Sequence, residues 1–177
     1  MERPLSPDPV SEPAAYQAHL LGLLGEDDPA EVQAAAPGAW ASLVDEAGAD
    51  VAVRPEPAEW SVVECLGHAV DAELVSSARY RWIVAHDEPP LIGYDQDLWV
   101  DRLRHGDDDP ADLLAVLDAL RAANLAMWAR STPEQRERIG MHAERGPESY
   151  DLTFRLIAGH DRFHLAQARR ALDAVRG

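Results

Sequence analysis

Apolar residues return every three or four positions over several long stretches of the chain, and none alternates with period two for the length of a strand. The first thirteen residues carry four prolines and read as an irregular lead-in, leaving 14–177 as a single helical domain. A short helix is predicted over 14–25, then a helical stretch over 29–47 broken at Pro37-Gly38. Residues 47–60 hold two prolines and read as a loop. Ser61-Val62-Val63-Glu64 matches a capping box, with serine and glutamate each able to satisfy the other's backbone N–H. The helix it opens runs over 61–86, ahead of Pro89-Pro90. An acidic, aromatic loop with Tyr94 and Trp99 and one helical turn is predicted over 88–109. Asp109-Pro110 opens a third helix to about residue 130, Thr132-Pro133-Glu134-Gln135 starts a short turn, and the last helix covers 149–175. Three long helices and an N-terminal hairpin make an all-α protein, a four- or five-helix bundle.

On the last helix, Leu156, Ile157, Phe163, Ala168, Ala171, Leu172 and Val175 form one apolar stripe, with Arg155, Arg162 and Arg169 on the far side. At ~100° per residue, His164 lies about 40° from His160 and Gln167 about 20° to its other side, all within the stripe. Two inward imidazoles at i and i+4 can reach one ion. The same pattern also describes two hydrogen-bonded core histidines, and two imidazoles rarely hold a divalent ion tightly in water. A third donor is needed.

The 177 residues suit one domain, which can bury roughly 70% of its unfolded surface without disulfides. A single cysteine, Cys65, excludes an internal disulfide and fits a reducing compartment. Neither a signal-peptide pattern nor a membrane-length apolar run is present, so a soluble, cytoplasmic protein is expected. The net charge of −16 argues against nucleic-acid and anionic-membrane partners, which need clustered cations.

Of the five other histidines, His68 alone lies inside a long apolar helix, where it must be satisfied by something. His19 is in the N-terminal helix, while His86 and His105 lie at or beyond element ends. His142 falls in a glycine-flanked loop and reads as a surface residue, with a place at the mouth of the site as the alternative. Inner-face histidines on two helices of one bundle are how bundles build metal sites. Glu64 and Asp71 lie within ~60° of His68 on the wheel, and either could be a ligand, a partner to a ligand, or a base. Glu73 reads as buried, with Arg121 as its structural partner, and Cys65 as small core filler. Asn124 shares the apolar stripe of the third long helix.

Taken in order, EWSVVECLGHAVDAE (59–73), the Tyr94–Trp99 loop, the third long helix with Arg121, and IAGHDRFHLAQ (157–167) resemble the DinB-like (DinB/YfiT-type) four-helix-bundle superfamily. The resemblance covers most of the chain and implies an up-down four-helix bundle with extra short helices. It implies a divalent ion, nickel or zinc, held by His68, His160 and His164 with open positions for water or substrate. Its characterised relatives imply a thiol-dependent S-transferase-like enzyme acting on a small electrophile, with a low-molecular-weight thiol as co-substrate. Two alternatives stay open: a metal-dependent hydrolase of small amides or esters, with Asp71 or Glu64 as base, and a non-catalytic binding or dimerisation module. Gln167, Arg121 and Asn124, with the Tyr94–Trp99 loop, are expected to line the pocket, and apolar surface on the N-terminal hairpin offers a face for a homodimer.

Overall fold

The computed structural model describes residue 7 and residues 11–177, so most of the expected lead-in over 1–13 lies outside the described residues. Helices α1 (Pro13–Leu24) and α2 (Pro29–Ala47) each begin with proline, whose missing N–H would be unpaired there anyway. Helix α3 (Val62–Ala85) opens on the expected capping box, and α5 (Pro110–Arg130) starts behind Asp109. Between them lie β1 (Pro90–Leu91) and α4 (Gln96–Leu103), two helical turns where one was expected, capped by Asp95. The chain continues through α6 (Pro133–Glu137), β2 (Ile139–His142), β3 (Gly146–Ser149) and α7 (Tyr150–Arg176), the last capped by Ser149.

Helices α2, α3, α5 and α7 form the four-helix bundle, with α7 between α2 and α3 and α5 closing the opposite side. Cross-helix contacts fix their directions. Leu117 shares a cluster with Leu66, and further along Asn124 bonds Ser77, so α5 runs parallel to α3. Phe154 meets Gln33 and Tyr80, while Arg169 meets Glu46, so α7 runs parallel to α2 and antiparallel to α3. The four helices therefore run up, down, down, up. Residues 86–109 make this order possible, because a long connection returns the chain to the end where α3 began.

Helix α2 is continuous through Pro37, where a break was expected. A proline at that position leaves the carbonyl four residues earlier without its N–H partner. Here the Gln33 carbonyl accepts instead from Arg121 Nη1 at 2.8 Å. The same guanidinium pairs with Asp161 at 2.6 Å and Glu73 at 3.0 Å, all three groups being buried. This charged layer lies between two apolar clusters, one around Trp40, Leu66 and Leu172, the other around Tyr80, Trp128 and Phe154.

The short strands form one sheet of order β1-β2-β3, parallel then antiparallel. Runs of two and four residues are too brief to show a period of two, which is why the sequence reads there as loop. Helix α1 packs along α7 and buries Tyr16, Leu20 and Leu24 within the chain.

Candidate metal centre

His68 sits in the second turn of α3, and His160 and His164 lie one turn apart on α7, the helix α3 contacts most. All three rings are buried, and one nitrogen of each falls within 4.8 Å of the others. His68 Nε2 and His160 Nε2 stand 3.0 Å apart. Two nitrogens bound to one ion at ~2.0–2.1 Å stand roughly 3 Å apart at adjacent positions, so the spacing suits a shared ion.

The tautomers point the same way. Burial, followed by the neighbouring imidazoles, holds the pKa of each ring well below the ordinary histidine value, so all three are neutral. His164 Nδ1 donates to Gln167 Oε1 at 2.9 Å, which places the proton on Nδ1 and leaves Nε2 as a bare lone pair. That Nε2 is sealed from solvent and has no hydrogen-bond partner. A buried acceptor left unpaired costs about 1–3 kcal/mol, and a cation among the three rings would satisfy it. The donor set fits a borderline divalent metal. Trp60 stacks on His164 with centroids 6.1 Å apart, and Phe163 meets the same ring edge-on at 4.8 Å, which keeps water from that side.

A cavity of about 180 Å³ opens beside the cluster, with His68 and His160 in its wall. Tyr94 comes from the expected aromatic loop, Ser76 and Arg79 from the next turns of α3, and His142 from β2. His142 is a correction: instead of a surface loop residue it is buried at the end of the central strand, where it lines the cavity. Arg79 was passed over, although eleven residues separate it from His68, which at ~100° per residue returns it to within about 20° of the same face. An arginine on an inner face was the available signal.

The other expected residues are placed elsewhere. Gln167 stands behind His164 and does not line the cavity. Arg121 and Asn124 do not line it either. Arg121 belongs to the charged layer, and Asn124 donates to Glu73 at 2.6 Å and Ser77 at 2.5 Å. Both are consumed by the bundle's need to pair its buried polar groups. Glu64 accepts from Ser61 N and Oγ, both at 2.8 Å, and from Arg54 Nε at 2.9 Å. Burial works to raise its carboxyl, but Arg54 and Ser61 outweigh it and hold the pKa below the usual range. Asp71 is bonded to His105 Nε2 at 2.8 Å, and the other ring nitrogen of His105 meets Asp108 at 2.6 Å. The Asp71 bond first, with Asp108 assisting against burial, raises His105 to about 8. Neither carboxylate is a free base beside the histidines. Cys65 is fully buried core, as expected.

The family model of the DinB superfamily matches residues 18–168. No curated protein matches the chain. Among solved structures, YfiT from Bacillus subtilis, described as a probable metal-dependent hydrolase with an unusual four-helix bundle topology, superposes with a TM-score of 0.77. The match covers 85% of this chain and 87% of that one at 20% identity, and carries the fold. On its family match and its fold, the chain belongs to the DinB superfamily.

Proposed function

We propose that this protein is a metal-dependent enzyme acting on small molecules, with His68, His160 and His164 holding one divalent ion, nickel or zinc, and that it transfers a thiol to a small electrophile. The observation that carries the reading is the sealed, unpartnered Nε2 of His164 in a cluster with two other buried imidazoles. A divalent ion held there supplies a Lewis acid that lowers the pKa of a thiol or water brought against it. The protein's own groups prepare that chemistry. Gln167 fixes the His164 tautomer, Trp60 and Phe163 close the back of the site, and His68 and His160 face the cavity through which substrate arrives.

Transfer is favoured over hydrolysis because both expected bases are occupied, Glu64 by Arg54 and Ser61 and Asp71 by His105. A thiol, the stronger acid, would have less need of a protein base than an attacking water would. One observation favours the second reading, hydrolysis of a small amide or ester: YfiT, which shares this fold, is described as a probable metal-dependent hydrolase. The test incubates the nickel- or zinc-loaded protein with a chloronitrobenzene electrophile, with and without glutathione or cysteine. Electrophile consumption that needs both protein and thiol is expected. Turnover that ignores thiol, or ester cleavage in its absence, would contradict transfer and support hydrolysis.

A further inference from the structure

In a cavity whose wall also carries Asp95, Asp97 and Glu144, the immediate surroundings of Arg79 and His142 hold more N–H donors than acceptors. Arg79 is 6% exposed, and no carboxylate among the described residues lies within ion-pair distance of its guanidinium. Its Nη2 donates to the Ile92 carbonyl at 2.6 Å, and its Nε is sealed and unpartnered. Nη2 also faces His142 Nε2 at 3.2 Å, while the backbone N–H of Glu144 points at His142 Nδ1 at 3.3 Å. A neutral imidazole accepts at one nitrogen only, so one of these donors is left over. Burial, with Arg145 and Arg79 alongside, lowers His142 to about 4 and keeps it neutral. Glu148, a buried carboxylate whose charge reaches Arg79, is already held by Arg145 Nε and Nη2, at 2.5 and 3.0 Å, and by Gln17 at 2.6 Å. Buried cations are ordinarily paired, and among the described residues this one has no carboxylate within ion-pair distance.

We propose that Arg79 and His142 form a carboxylate-binding subsite, so that the substrate is a small molecule with its reactive group at the histidine cluster and a carboxylate at the opposite end. This rests on the cavity being the substrate site. The two ends share a wall: His68, Ala72, Ser76 and Arg79 follow one face of α3. Eleven residues of helix span roughly 16 Å, and an arginine leaning toward the helix N-terminus shortens that reach. A ligand about four to eight bonds long bridges the remainder, and a guanidinium fork suits a planar carboxylate.

The probes are succinate and its neutral diamide, succinamide, titrated into the protein as purified. Calorimetry reads affinity, and nitrogen NMR follows the Arg79 Nε–H signal. Succinate is expected to bind at least about tenfold more tightly than succinamide and to shift the Arg79 signal. Arg79→Gln is expected to abolish the preference. An unmoved Arg79 signal in the wild type overturns the proposal without depending on any variant's folding. So does the absence of a succinate preference, or its survival in Arg79→Gln. A carboxylate preference in a protein that transfers no thiol leaves the subsite standing and removes only the proposed reaction.

Discussion

Gln167 holds the proton of His164 on the nitrogen that faces away from the other two histidines. Partners of this kind tune a ligand's basicity, and their loss typically lowers metal affinity ~10–100-fold. Gln167→Leu should therefore weaken zinc binding by about that factor, read by competition with a chromophoric chelator. The titrating histidines set opposite limbs of a pH profile. His105, raised to about 8 by Asp71 and Asp108, contributes stability that is complete below its unfolded pKa near 6.5 and lost as pH rises through 8. His68, His160 and His164 are held neutral by burial, so stability falls as pH drops below about 6.5 and the unfolded chain takes up protons. The urea midpoint should peak between these limits, and Asp71→Asn should flatten the alkaline limb while leaving the acid one. A profile without an alkaline limb would contradict the His105 assignment. The three histidines were legible from one helical wheel and one interior position. His142 was not, because a loop residue has no periodicity to say which way it points.

Helix α1 can lie against α7 because position 159 has no side chain. A Cβ there would stand 2.1 Å from the Leu20 carbonyl oxygen, a backbone atom that no rotamer change can move. Gly159→Ala should destabilise the protein by about 1–3 kcal/mol and release α1, seen as faster hydrogen exchange in that helix. Exchange unchanged in α1 would show that this contact does not hold the helix. The helix starts were legible because each carries its own chemistry: the Ser61–Glu64 and Thr132–Gln135 boxes and Asp109-Pro110. The continuity of α2 was not, since the donor replacing Pro37's missing N–H comes from Arg121, far along the chain. The sheet was hidden by the brevity of its strands.

Across the whole molecule, two apolar clusters enclose a charged layer, and the histidine cluster opens sideways from the bundle toward the cavity. Among the described residues no helix is long and apolar enough to cross a membrane. The Glu73–Arg121 pair was legible from burial and helical phase; that Asp161 and the Gln33 carbonyl complete it required the tertiary fold. Arg121→Met would strand two buried carboxylates and should cost about 3–5 kcal/mol by urea denaturation, far more than a surface pair. A loss under about 1 kcal/mol would contradict the layer's structural role. By the reading proposed above, three histidines from two helices hold one metal ion. Elemental analysis of the natively purified protein, beside His68→Ala, His160→Ala and His164→Ala variants shown to be folded, tests it most directly. About one divalent ion per wild-type chain and a near-complete loss in each variant are expected. Metal content unchanged in the folded variants, or no metal retained or bound by the wild type, would contradict it.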